Sequence, residues 1–168
     1  MMVRNKRRQL REQRLATPYH SVADAAAEYG EAHPAKDFAQ AVRLAGFCIL
    51  PELKRGAPGT SYPSQKMDIV KMSADLEAAG VPALLVVTEE TFFKARKQDL
   101  ALVRGATGLP VVRSDLILSE WQVCESRAQG ADAVLLIAAL LKALLSNTGS
   151  MLTPLPVSSI YSDFPMHR

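Results

Sequence analysis

Short, continuous apolar runs alternate with longer amphipathic stretches through the middle of this chain. The runs are Phe47-Cys48-Ile49-Leu50, Ala83-Leu84-Leu85-Val86-Val87, Pro110-Val111-Val112-Arg113 and Ala133-Val134-Leu135-Leu136-Ile137. Unbroken apolar residues over so few positions are the pattern of a strand covered on both faces. Helical patterns fill the gaps, over 67–79, 98–104 and 120–129, with a fourth over 140–146. The first three are followed by Gly80, Gly105 and Gly130, which are suited to the left-handed backbone that closes a helix. Repeated strand–helix units with right-handed crossovers make a parallel sheet, either open and doubly wound or a (β/α) barrel. No Gly-x-Gly-x-x-Gly follows a strand and no Walker-type Gly-Lys-Ser/Thr occurs, which counts against a nucleotide-binding open sheet.

Ahead of the first run, the Ala-rich stretch from Ser21 predicts a helix capped by that serine and ending before Gly30, and Asp37 predicts the cap of another short helix. From Thr148 the chain turns rich in Gly, Ser, Thr and Pro and reads as an irregular tail. The expected division is a basic segment with pre-barrel helices over 1–45, strand–helix units over 46–147 and a tail over 148–168.

At 168 residues, 48% hydrophobic and 22% charged, the chain is long and apolar enough for one domain with its own core. No apolar run approaches the roughly 18 to 20 residues of a membrane span, and the start is charged where a secretory signal needs an apolar centre. Cys48 and Cys124 read as reduced small hydrophobes. His20, His33 and His167 lie far from both cysteines and from one another, so no metal site is expected. The positive charge is concentrated at the start, where Arg4, Lys6, Arg7, Arg8, Arg11 and Arg14 face only Glu12. Such a start is a solvated helical face, an organelle-targeting peptide or a nucleic-acid arm. No aromatic is interleaved with the arginines and no nucleic-acid module follows, so no nucleic-acid partner is expected.

Candidate chemistry gathers at the strand ends. In Pro51-Glu52-Leu53-Lys54-Arg55, the carboxylate and the ammonium are two positions apart, on one side of an extended chain. Gly56-Ala57-Pro58-Gly59 then ends the strand, so the pair sits at its C-terminal end, where parallel α/β folds place their sites. An ordinary surface ion pair at a fraying strand end reads the same way. Thr88 and Glu89 end the second strand and read as caps of the next turn. Arg113-Ser114-Asp115 ends the third, and nothing reactive ends the fourth.

Several of these stretches together resemble the indole-3-glycerol-phosphate synthase family. Pro51-Glu52-Leu53-Lys54-Arg55-Gly56-Ala57-Pro58 is similar to that family's first-strand motif. Val87-Thr88-Glu89-Glu90-Thr91-Phe92-Phe93 and Leu109-Pro110-Val111-Val112-Arg113-Ser114-Asp115-Leu116-Ile117 are similar to the ends of its second and third strands. Glu120-Trp121-Gln122-Val123 and the run from Arg127 to Ala139 resemble its third helix and fourth strand, and Pro34-Ala35-Lys36-Asp37-Phe38 the segment before the barrel. The likeness is collinear from about Pro34 to Leu145.

The resemblance implies a (β/α)8 TIM-barrel family, here an incomplete half barrel of about four parallel strands preceded by N-terminal helices. The family converts 1-(2-carboxyphenylamino)-1-deoxyribulose 5-phosphate to indole-3-glycerol phosphate, with loss of carbon dioxide and water, in tryptophan biosynthesis and without a cofactor. Carried over, Glu52 assists proton transfer and Lys54 holds the substrate's anionic groups, while Ala57, Phe93, Leu116 and Leu135 line the substrate. Ring closure and dehydration need a proton donor and a base, and an anionic substrate needs fixed positive charge. Three positions depart from the family. Ser114 stands where the family has its catalytic lysine, Ala57 lacks the serine hydroxyl, and Pro156-Val157-Ser158-Ser159 offers no carboxylate for strand five. Strands six to eight have no counterpart here. Two readings follow: a carboxy-lyase of this family acting on a phosphorylated small molecule, or a truncated, non-catalytic half barrel that is a binding or interaction module or a gene fragment. Self-association through open barrel edges is expected, with the cytoplasm as location and the plastid as the alternative.

Overall fold

A computed structural model of the chain describes residues 1–59, 67–137 and 140, and the backbone of 158–162. The chain begins with three helices, α1 (Met2–Ala16), α2 (Tyr19–Ala32) and α3 (Phe38–Ala45). Strand–helix alternation follows: β1 (Glu52–Leu53), α4 (Ile69–Ala78), β2 (Leu84–Val87), α5 (Asp99–Ala106), β3 (Val111–Ser114), α6 (Glu120–Ala128) and β4 (Ala133–Ile137). A fifth strand, β5, runs over Ser158–Ser162. All five are parallel and lie side by side in chain order, which makes the sheet half of a (β/α) barrel. No helix among the described residues is long and apolar enough to cross a membrane.

Local chemistry explains most boundaries. Asp37 caps α3 by accepting from the Gln40 N–H at 2.8 Å, and Asp68 caps α4 in the same way from Lys71 at 3.0 Å. Gly80 and Gly130 follow α4 and α6 with φ of 80° and 94°, a left-handed turn that costs glycine little. Gly105 does not close a helix; it lies inside α5, which runs one residue further. Ser21 likewise is not a cap, because α2 begins two residues earlier after Pro18 and continues through Gly30. A proline just before a helix presets the backbone, and a run of alanines tolerates one interior glycine.

The first apolar run is a strand only at its end. β1 holds Glu52 and Leu53, while Phe47, Cys48, Ile49 and Leu50 precede the ladder. Among the described residues β1 pairs with β2 alone, and an apolar run with no second neighbour lacks the partner that would extend it. The tail departs from expectation in the opposite direction. Ser158-Ser159-Ile160-Tyr161-Ser162 carries a β-branched and an aromatic residue and pairs with the whole of β4, although nearby Pro154 and Pro156 suggested a loop. The helix expected over 140–146 falls outside the described residues, apart from Leu140.

Period-two alternation sorts the strands into two layers. On the outer face Leu53, Leu84, Val86 and Val111 pack against Ile69 of α4 and Leu100 and Val103 of α5. On the inner face Ala83, Val112 and Ala133 meet Phe38 of α3, with Leu50, Leu85 and Leu135 alongside. A third cluster joins Leu10 of α1, Val22 of α2, and Leu118, Trp121 and Cys124 at and around α6, so the N-terminal helices belong to the body of the fold. At the bottom of the sheet the buried Asp132 carboxylate accepts from the Lys36 and Val111 backbone N–H groups and from Arg104, each at 2.9 Å.

α1 is fastened by charge as well as by contact. The arginines Arg4, Arg7, Arg8, Arg11 and Arg14 are exposed, but Lys6 is buried and places Nζ 2.7 Å from Asp115 Oδ2. That same oxygen accepts from Arg113 at 3.0 Å and from the Thr88 hydroxyl at 2.9 Å, and Arg113 continues to Glu125 of α6 at 2.7 Å. Burial alone would push the Asp115 carboxyl up; Arg113 and Lys6 outweigh it and hold the group below its usual range.

Three outcomes are expected. Lys6→Met leaves a buried carboxylate short of one partner, at a cost of about 1 to 3 kcal/mol in urea unfolding. A depressed native carboxyl stabilises the fold fully above its unfolded pKa, and that contribution is lost as pH falls through the lower native value. The acid transition followed by far-UV circular dichroism should therefore lie below about pH 4 for this element, and Lys6→Met should move the midpoint upward. Asp132→Ala, which orphans Arg104 and two backbone donors, should cost about 3 kcal/mol or more by the same urea measurement.

Candidate functional site

Register aligns Glu52 with Leu85, Val112 and Ala133 across the first four strands. Two residues beyond Val112, on the same inner face, stands Ser114, and Leu135 is its neighbour on β4. The Ser114 hydroxyl donates to Glu52 Oε1 at 2.8 Å, and Lys54 Nζ lies 3.6 Å from Glu52 Oε2. The carboxylate is thus held between a hydroxyl and an ammonium at the C-terminal end of the sheet. The Lys54 and Glu52 side chains are 47% and 34% exposed, so their attraction is worth about 0 to 1 kcal/mol and mainly orients the pair.

Glu52, Lys54, Ser114 and Leu135 therefore come together as the strand pattern requires. Ala57 and Phe93 occupy the loops after β1 and β2, and these loops touch. A Cβ on Gly56 would meet Lys94 Cγ at 3.2 Å and the Phe93 carbonyl oxygen at 3.3 Å, so a glycine there lets the loops close up. Leu116 is half-buried just past β3; its N–H donates to Asp115 Oδ1 at 2.7 Å and its carbonyl accepts from Gln122 at 2.9 Å. Glu89 caps the following turn, accepting from the N–H groups of Thr91, Phe92 and Phe93. Thr88 has another task. Its hydroxyl accepts from Arg113 Nε at 2.9 Å and donates to Asp115.

Two supports of the site were not read from the sequence. Arg55 grips Asp99 with two hydrogen bonds of 2.8 Å and reaches the Met67 carbonyl at 3.0 Å, tying the loop after β1 to the start of α5. Lys6, within a run of arginines, carries no mark of its own except its helical phase. It shares a stripe with Val3 and Leu10, three and four positions away, and that stripe faces the fold. Asn5 adds a second tie from α1, donating to the Thr91 hydroxyl at 3.1 Å. The loops that follow β2 and β3 are thus braced from the N-terminal helix.

As chemistry, the inner face offers among the described residues a carboxylate able to take up a proton, an ammonium able to hold an anion, and a hydroxyl already engaged with the carboxylate. Leu135, beside Ser114 on β4, is an apolar neighbour.

A protein-family model described as indole-3-glycerol phosphate synthase matches residues 1–149, which leaves β5 outside the matched region. The chain is 33% identical over 141 residues to the indole-3-glycerol phosphate synthase of Caldanaerobacter subterraneus, covering 84% of this chain and 53% of that protein. It is 40% identical over 112 residues to indole-3-glycerol phosphate synthase 1 of Streptomyces coelicolor, covering 67% and 42%. With the Desulfosudis oleivorans enzyme of the same name it shares 37% over 129 residues, covering 76% and 49%. The chain spans about half the length of the curated relatives it matches. With the family model matched over most of its length, the chain belongs to the indole-3-glycerol phosphate synthase family.

Proposed function

We propose that this chain is a half-barrel member of its family that serves as a binding and interaction module and does not by itself catalyse indole-3-glycerol phosphate formation. The observation that carries this reading is the hydrogen bond from Ser114 to Glu52. By family resemblance a lysine acts as general acid at that position. An unassisted serine hydroxyl is a far poorer acid than an ammonium, and here its proton is directed at Glu52. The ligand class is a small molecule bearing phosphate and carboxylate groups, with Lys54 as the inner-face cation that attracts it. Cys48 and Cys124, both free thiols, support a reducing compartment, which we take to be the cytoplasm.

The second reading, a working carboxy-lyase, is favoured by the preserved Glu52–Lys54 pair. Against it stands the size of the loss. One well-placed general acid is worth about 10² to 10⁴ in rate, and acid–base groups help only a substrate held near its attack geometry.

The purified chain should therefore give no measurable indole-3-glycerol phosphate fluorescence from 1-(2-carboxyphenylamino)-1-deoxyribulose 5-phosphate. Ser114→Lys should not rescue it, since a restored cation near Glu52 does not restore a grip on the phosphate. Glu52→Gln and Lys54→Ala control for contaminating host enzyme. Turnover by the wild-type chain that disappears in Glu52→Gln would overturn the proposal in favour of a working synthase.

A further inference from the structure

The positive charge of α1 is arranged against the helix's own stability. Arg4, Arg7, Arg8, Arg11 and Arg14 are all exposed, and at about 100° per residue they share roughly a third of the helix circumference. The buried side, which carries Lys6 and Leu10, lies about 100° away around the axis. Within the stripe, Arg4 and Arg7, Arg4 and Arg8, Arg7 and Arg11, Arg8 and Arg11, and Arg11 and Arg14 stand three or four positions apart. Like-charge pairs at that spacing destabilise a helix. The first turn holds no acidic residue, and Arg4 stands in it, where the helix dipole disfavours a cation. Among the described residues none of the five arginines makes an ion pair, not even with Glu12 of the same helix, and Arg8 bonds only to Asn5 at 3.1 Å. A face that is merely solvated mixes its charges, as Lys71 and Asp75 do on α4. What holds α1 in place is on its other side, with Leu10 in the core and Lys6 on Asp115.

We propose that this arginine stripe binds the phosphate backbone of duplex nucleic acid without regard to base sequence. Charge complementarity selects the partner. Six of the chain's 20 basic residues and one of its 17 acidic residues lie in residues 1–16, so the remainder carries 14 against 16 and the basic character is confined to α1. The stripe is about 15 Å long, and a duplex of that length presents roughly nine phosphates to its five guanidiniums. A guanidinium meets phosphate oxygens through two parallel N–H donors, which suits arginine to such a contact. The absence of aromatics between Arg4 and Arg14, which in the sequence counts against a nucleic-acid partner, removes only stacking on bases; a contact through phosphates needs none. A lipid surface fits less well, because Val3 and Leu10 are spent on the fold and leave α1 no apolar face to lay among acyl chains. An acidic protein would need an apolar centre to the contact, and the stripe holds no apolar residue until Leu15 at its end. This surface lies outside the small-molecule reading, since it uses none of Glu52, Lys54 and Ser114.

The test titrates the full chain into fluorescently labelled DNA duplexes of unrelated sequence and follows anisotropy between about 50 and 200 mM salt. The duplexes should bind alike, with Kd of about 10⁻⁴ to 10⁻⁶ M and a slope of log affinity against log salt of about −3 to −4.5. Arg4→Gln with Arg7→Gln and Arg11→Gln should weaken binding by about tenfold or more at low salt and reduce the slope by about 2 to 3. Arg43→Gln with Lys71→Gln and Lys97→Gln removes the same charge from exposed positions elsewhere and should leave both readings in place. Arg4→Lys with Arg7→Lys and Arg11→Lys keeps the charge and should keep the slope. Because glutamine is as good a helix former and relieves the repulsion, the first variant should retain the wild-type circular dichroism spectrum, which separates lost contact from lost folding. No binding by the wild type at about 50 mM salt, equal weakening by the two glutamine variants, or tighter binding to phosphatidylserine vesicles than to the duplexes would overturn the proposal, the last in favour of a membrane surface.

Discussion

One carboxylate, that of Asp115, ties the N-terminal helix to the ends of two strands. Through Lys6 it holds α1, through Thr88 it fixes the end of β2, and through Arg113 it reaches Glu125 on α6. Removing a carboxylate and two cations from water is costly, and the arrangement is tolerable because Asp115 has a partner on every side. Its placement also explains how a basic helix can belong to a half barrel. The arginines of α1 stay in water while a single lysine threads inward, and the apolar residues around it close over the ion pair.

The same end of the sheet separates support from chemistry by strand alternation alone. Arg113 and Asp115 face the outer layer, where they brace helices; Ser114 between them faces inward, where it meets Glu52. A change at Ser114 can therefore alter the site without disturbing the brace.

Much of this was legible in the sequence. Three of the four apolar runs coincide with β2, β3 and β4 while the first lies just ahead of β1, and the two-residue spacing of Glu52 and Lys54 agrees with their closeness to each other beside Ser114. What escaped depended on neighbours that local pattern does not encode. Phe47 to Leu50 has strand composition, yet whether it enters a ladder depends on a second neighbour. β5 follows closely on Pro154 and Pro156, and its pairing with β4 is a tertiary event. Gly105 has the position of a cap, but packing of Leu100 and Val103 against the sheet carries α5 past it. Lys6 could have been found by helical phase; its partner, more than a hundred residues away, could not.

The brevity of β1 has a kinetic consequence. A two-residue strand that pairs on one side only among the described residues is a poor template for casual pairing. Anything that does join it must first draw the segment from Phe47 into register, so recognition and local ordering become one step. Encounters that need such a rearrangement proceed more slowly than the roughly 10⁵ to 10⁷ M⁻¹s⁻¹ of preformed surfaces, and they reverse slowly once the ladder is complete. A neighbour that pairs at β1 would thus be selected by how long it stays, because a brief collision ends before the ladder forms.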